Sequence, residues 1–271
     1  MQPSFYVGKS PEKKRIAVVG AGPAGLQYAA VAAEKGHDVT ILERHDRTGG
    51  SVLMASQVDA GAVELLRPVK KLEGDCRRLG VSMKFGVQDT ESALKALAPD
   101  LVVMATGARF LPVDVPQGIP LVTPEDIMVK NISVPKKVII FGGQGAGLGL
   151  AVHLLGKADI DITIVEESGT IGRDVNPFYL WQYMGLMRKK KVTILRNARF
   201  SGIRNGMFAV MTGDGEKTFD CELAVTALRA PSDMKDKPGA YAGKRIYIGD
   251  AKHPRRLHNA IHAGFRYAME V

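Results

Sequence analysis

The chain has 271 residues, 45% of them hydrophobic and 24% charged, with 30 glycines and a formal net charge of +9. That length holds one large domain or two small ones of ordinary globular composition. Two distant cysteines, Cys76 and Cys221, exclude a disulfide scaffold, and no CxxC, zinc or iron–sulfur spacing occurs.

The N-terminal "MQPSFYVGKSPEKKR" has no apolar core of a signal peptide, and no apolar run reaches the length of a membrane span. The expectation is a cytoplasmic protein with no membrane span. The positive charge is dispersed, as on a solvated enzyme surface that favours anionic ligands; no nucleic-acid partner is expected.

The first predicted strand, Ile16 to Val19, runs into Gly20-x-Gly22-x-x-Gly25. In such a loop the first glycine allows the tight turn, the second lets a diphosphate reach the backbone, and the third lets helix and strand pack closely. Pro23 suits a first helical turn, where its missing N–H costs nothing. The Ala-rich stretch from Gly25 to Gly36, with Ala24 before it, reads as a helix whose N-terminus favours phosphate. The next strand, residues 38–43, ends in Glu43, placed to accept hydrogen bonds from a ribose. Further strands are predicted at 80–87 and 100–108, then a proline-rich linker at 111–120.

The device then recurs. A strand at Val138 to Phe141 precedes Gly142-x-Gln144-x-x-Gly147, a helix from Leu148 to Lys157, and a strand from Ile162 to Glu166. Gly20 and Gly142 are 142 − 20 = 122 positions apart, and Glu43 and Glu166 are 166 − 43 = 123 apart, so one residue has been inserted. A match of this extent marks an internal repeat of two βαβ units. A helical stretch from Tyr179 to Met187 meets the basic run Arg188 to Lys191, where cations suit the helix terminus. Then come a strand at 191–197, a hairpin over 207–228 with a Gly-Asp-Gly turn, a loop at 231–238, a strand at 245–251 and a helix at 257–271.

Three features favour FAD at the first loop: "ERHDRTGG" (43–50), "ATGA" (105–108) and "IYIGDA" (246–251). With "VVGAGPAGL", "IGRD" and "LHNAIHAGFRYA", these residues resemble the two-dinucleotide-binding-domain flavoproteins. The resemblance is closer to the C-terminal FAD/NAD-binding part of the old yellow enzyme-like NADH:flavin oxidoreductases, the trimethylamine dehydrogenase and 2,4-dienoyl-CoA reductase group, and covers nearly the whole chain from about Lys13. It implies an α/β fold of two Rossmann-like dinucleotide-binding domains. The FAD-binding domain would be discontinuous, residues 1–118 and 240–271, with an NAD(P)-binding-like domain at 119–239.

By that resemblance FAD would be held by Gly20, Gly22, Pro23, Ala24, Gly25, Glu43, Arg44, Arg47 and Gly50. Val87 would flank the adenine, and Ala105, Thr106 and Gly107 would line the cofactor. Gly249 and Asp250 would meet the ribityl chain, and a helix starting near Asn259, with Ala260 and Ile261, would face the flavin. His262 reads as a packed helix residue. The second unit would bind NAD(P)H through Gly142, Gln144, Gly145, Ala146, Gly147 and Glu166. Glu166 suits the free 2′-hydroxyl of NADH, and no arginine follows it to take the 2′-phosphate of NADPH.

The second unit departs from the pattern in three places. Gln144 replaces the glycine a diphosphate approaches, Gly149 stands where many relatives have glutamate, and Arg229 stands where a glycine is frequent. A degenerate site holding ADP or nothing is the alternative there. Hydride transfer to a flavin requires no nucleophile or metal from the protein, so no catalytic residue is assigned. The resemblance implies an NADH oxidoreductase subunit that passes electrons to an FMN- or iron–sulfur-containing partner. Two alternatives stay open: a free-standing NADH reductase of a small acceptor, and a non-catalytic structural subunit.

Overall fold

In the computed structural model, which describes residues 7–232 and 241–271, the first apolar run forms strand β1 (Arg15–Val19), buried from Ile16 onward. Helix α1 (Pro23–Glu34) starts with Gly22 as N-cap and Pro23 in its first turn. Its alanines 29, 30 and 32 are buried, which keeps the helix close to the sheet. Gly36, at φ +98°, turns the chain into β2 (Asp38–Leu42).

The short α2 (Ser51–Ala55) follows. Helix α3 (Leu66–Arg78) buries Val69, Leu72 and Cys76, one face at helical spacing, and carries i,i+4 pairs Lys71–Asp75 and Glu73–Arg77 on its polar side. Then come β3 (Ser82–Lys84), α4 (Thr90–Leu97, capped by the Asp89 carboxylate on Ser92 N), the buried β4 (Leu101–Met104) and β5 (Ala108–Phe110).

The second copy opens with β6 (Leu121–Val122) and α5 (Pro124–Met128), started by a capping box of Thr123 and Asp126. It continues through β7 (Lys137–Phe141), α6 (Gly145–Lys157), β8 (Asp161–Val165), α7 (Pro177–Lys189) and β9 (Thr193–Leu195). An antiparallel meander of β10 (Arg199–Arg204), β11 (Met207–Thr212) and β12 (Gly215–Phe219) precedes β13 (Leu223–Thr226) and β14 (Arg229–Pro231). The chain ends with β15 (Arg245–Tyr247) and α8 (Leu257–Met269).

Two five-stranded parallel sheets result, ordered β15-β4-β1-β2-β3 and β6-β13-β7-β8-β9. Each centres on the strand feeding a glycine loop, and each takes in a strand distant in sequence, β15 at the edge of the first and β13 between β6 and β7 in the second. The described residues of Met1–Leu53, Glu64–Arg109 and Ala230–Val271 form one compact unit; Met54–Val63 and Phe110–Arg229 form the other. The sequence places the divisions at 118/119 and 239/240, and the latter lies outside the described residues, as do residues 233–238 of the loop predicted at 231–238.

Several elements differ from expectation. The strand predicted at 245–251 stops at Tyr247, because Gly249 at φ +60° begins a turn of 3₁₀ helix over Gly249–Ala251. The strand at 80–87 contracts to Ser82–Lys84. Helix α6 begins at Gly145, three residues before the predicted start. The basic run caps α7 as expected, with Arg188 and Lys189 in the last turn.

Candidate functional site

The first glycine loop is built by two requirements of different kinds. Gly20 has φ +107°, and a Cβ there would lie 2.5 Å from Ala105 O; a Cβ on Gly25 would lie 2.0 Å from Gly20 O. Both are fixed by packing of loop, helix and strand. Gly22 is not: among the described residues a Cβ there would meet nothing closer than Gly50 Cα, at 4.0 Å. Gly50, itself at φ +54°, faces it across the notch. Two facing glycines thus keep a gap open at the N-terminus of α1, where Pro23, Ala24 and Gly25 form the first turn. An anion there meets a helix end.

Glu43, 7% exposed, sits at the end of β2. Its Oε2 accepts from Ala21 N at 2.7 Å and its Oε1 from His45 N at 2.9 Å, which fixes the carboxylate beside the loop. Val87 N–H donates to Glu43 O at 2.9 Å, so Val87 borders the same end of the sheet. Arg44 and Arg47 are exposed, Arg44 donating to His45 Nε2 and Arg47 paired with Asp46.

Ala105 follows β4 and donates its N–H to Val19 O. Thr106 Oγ1 hydrogen-bonds Ser232 Oγ, and a Cβ on Gly107, at φ +76°, would meet nothing within 4 Å among the described residues. Gly249 is buried, its missing Cβ making room for Ala24 Cβ, so the 3₁₀ turn lies against the first turn of α1. Asp250 Oδ1 accepts from Arg255 N. Helix α8 starts at Leu257, where the helix predicted at 257–271 begins and two residues before the start near Asn259 that the resemblance implies, so Asn259 and Ala260 already donate to Arg256 O and Ile261 packs on the core. His262 is exposed, not packed.

The second glycine loop repeats this frame. Gly142 has φ +106°, a Cβ on Gly147 would lie 1.9 Å from Gly142 O, and Ala146 is buried in the first turn of α6. Glu166 accepts from Gly143 N at 2.7 Å, Ser168 N at 2.8 Å and Ser168 Oγ at 2.7 Å. Burial works to raise its pKa, but the hydrogen bonds from Ser168 and Gly143 prevail and hold it below the ordinary carboxylate range. Ala198 N–H donates to Glu166 O as Val87 does to Glu43 O. Beside it a cleft of about 340 Å³ is lined by Glu167, Ala198, Arg199 and Thr212 among others.

The notch itself differs. Gly49 and Gly172 make matching bonds, to Ala21 O and Gly143 O, so Gly50 and Ser51 correspond to 50 + 123 = 173 and 51 + 123 = 174. Facing Gly22 and Gly50 have become Gln144 and Arg173. The Gln144 side chain spans the gap: Nε2 donates to Thr170 O and Oε1 accepts from Arg173 N, both at 2.9 Å. Asp174 Oδ1 accepts from Gly145 N at 2.7 Å, at the first residue of α6. The sequence shows Arg173 and Asp174 inside the matching "IGRD" but gives them no role; the pairing of Gly50 with Arg173 across the notch is what assigns one.

Both cysteines are free and buried. Burial pushes the Cys76 thiol up to about 12, with Asp75 and Glu73 adding to it, and the Cys221 thiol up to about 11. Neither is a reactive thiolate at neutral pH. Among the described residues no cluster of His, Cys, Asp or Glu could hold a metal, and no helix is long and apolar enough to cross a membrane.

Two parallel sheets, each with a glycine loop at a helix start and a buried acid at the next strand end, define a protein of two dinucleotide-binding units. The family model for pyridine nucleotide-disulphide oxidoreductases matches residues 14–254, and the chain belongs to that family. FAD and NAD(P)H are the cofactors of that family. It is 28% identical over 293 residues to a metal reductase of Desulforamulus reducens, covering 94% of this chain and 44% of that protein. It is 26% identical over 275 residues to an NADH oxidase of Thermoanaerobacter brockii, covering 98% and 42%. A solved 2-naphthoyl-CoA reductase complex superposes with TM-score 0.84 at 26% identity, over 100% of this chain and 42% of that one. The chain spans less than half the length of these relatives.

Proposed function

We propose that this chain is a cytoplasmic flavin-reducing module that takes electrons from NADH and delivers them to an FMN- or iron–sulfur-containing partner. The observation that carries the reading is the open notch between Gly22 and Gly50 beside buried Glu43. It fits a diphosphate on the α1 amides and a ribose on the carboxylate. Gly107, Gly249 and Asp250 sit in the same unit and would line the rest of FAD. When bound, FAD accepts a hydride from reduced nicotinamide and releases electrons onward. The protein's share is to position and shield the reactants. In the second unit Glu166 would take the adenosine ribose. Glu167, next in sequence, would repel a 2′-phosphate, so NADH is favoured over NADPH.

The partner rests on the resemblance of the sequence to flavoproteins that combine this region with FMN and iron–sulfur domains. Purified protein reconstituted with FAD should be yellow and should bleach on anaerobic addition of NADH, yet reduce no enoyl substrate by itself. A colourless preparation that takes up no FAD overturns the reading. Gln144 and Asp174 favour a second reading, a nucleotide-holding structural subunit; bound FAD that NADH never bleaches would support it.

A further inference from the structure

The two glycine loops share a frame and differ in what occupies the notch. In the first, the notch lies between two glycines, and the first helical residue is Pro23, which has no N–H to offer. In the second, the first helical residue is Gly145, and its N–H is bonded to the chain's own Asp174 carboxylate. The glycine matters there: a Cβ on Gly145 would lie 3.0–3.2 Å from the Asp174 carboxyl atoms. The loop bearing Asp174 is held by three more bonds. Gln144 ties Thr170 O and Arg173 N, and Gly172 N donates to Gly143 O at 2.9 Å.

We propose that Gln144 and Asp174 determine which nucleotides the second unit accepts, because they place a fixed internal anion and its clamp where a dinucleotide's diphosphate would settle. The inference rests on the reading that this unit is the NADH site, and it concerns the selectivity of that site. An incoming diphosphate meets a carboxylate of like charge at the helix end and cannot use the Gly145 amide until the loop yields. The adenosine end is independent of Asp174: Glu166 is fixed by Gly143 and Ser168, with a further hydrogen bond from the Gln144 side chain, and the cleft beside Ala198 is open. The second unit therefore takes adenosine without hindrance and NADH or ADP-ribose only weakly. Substitution at Gln144 or Asp174 relieves the hindrance.

Calorimetric titrations of FAD-loaded protein with NADH, ADP-ribose and adenosine test this. Asp174→Asn keeps an acceptor for Gly145 N and removes the charge; Gln144→Gly removes the clamp. Each should tighten NADH and ADP-ribose at least tenfold, and Asp174→Asn should leave adenosine within about twofold, with FAD content and melting temperature separating binding effects from folding. Unchanged or weaker dinucleotide binding in both folded variants overturns the proposal. So does a failure of all three proteins to bind NADH, or equal tightening of adenosine. Flavin absorbance in the same samples reports separately on function. Tighter NADH without bleaching in any protein sinks the electron-input reading and leaves the selectivity intact; bleaching of wild type with no gain in the variants does the reverse.

Discussion

Gly22 and Gly25 are three positions apart, yet they are glycines for opposite reasons, and this makes them separable by experiment. A side chain on Gly25 must displace Gly20 O, 2.0 Å from its Cβ, so Gly25→Ala strains the fold itself. Overpacking of this kind typically costs about 1–3 kcal/mol. A side chain on Gly22 enters space the protein leaves empty. Gly22→Val should therefore keep the melting temperature of the FAD-free protein within a degree or two while abolishing FAD retention through gel filtration. Gly25→Ala should lower the melting temperature with or without FAD. If Gly22→Val still holds FAD, the diphosphate does not lie in this notch.

At the scale of elements, α8 brings the C-terminal segment onto the first unit, and the contact turns on one residue. A Cβ on Gly264 would lie 2.4 Å from Ala24 O and 2.9 Å from Gln27 Cβ, so the two helices touch backbone to backbone. Gly264→Ala has to lever α8 away from α1 and should destabilise the unit by about 1–3 kcal/mol. FAD affinity should fall with it, since Gly249 to Ile261 lie on the displaced segment. His262→Ala, on the exposed side of the same helix, should change neither. Equilibrium urea unfolding and FAD titration of both variants check this.

The repeated strand–loop–helix–strand units were legible because apolar runs, glycine spacing and a terminal acid coincide twice. Helices α2 to α5 were not read, because nothing repeats there and the helical periodicity, as in α3, is carried by only three buried positions. The join between β15 and α4 was equally hidden. Arg245 donates to both Glu91 oxygens, at 3.1 and 2.9 Å, and Glu91 Oε2 accepts from Tyr241 N at 2.6 Å, partners about 150 residues apart in sequence. In the site, the glycines and acids announced themselves by spacing. The Gln144 bonds to Thr170 and Arg173 did not, since they depend on a loop returning to the helix start.

At the scale of the whole molecule, each unit carries one buried histidine whose neutral form is built into the fold. In the first, His37 Nδ1 accepts from Lys14 N at 3.2 Å while Nε2 faces Val271 O. Burial lowers its pKa, partly opposed by the bond to Val271 and reinforced by Lys35 and Lys14. In the second, His153 Nδ1 bonds Gln57 O, and its buried Nε2 has no hydrogen-bond partner among the described residues; burial lowers this pKa too, opposed by the Gln57 bond and reinforced by Lys157. In both cases the unfolded chain binds a proton more readily than the folded one. The resulting stability is fully present above the ordinary histidine value near 6.5 and is lost as pH falls through the lowered folded values. The carboxylates held below their usual range, Glu91 by Arg245 and Glu166 by Ser168 and Gly143, lose stability in the same direction but in a more acidic window, below about 4.5. The melting temperature should therefore decline in two stages on acidification, the first of them belonging to the histidines. Asn approximates the Nδ1 end of histidine without its titration, so the double variant His37→Asn, His153→Asn should start from a lower melting temperature at pH 7.5. It should then lose distinctly less than the wild type between pH 7 and 5. Parallel decline of the two proteins across that interval would mean that these rings do not carry the first stage.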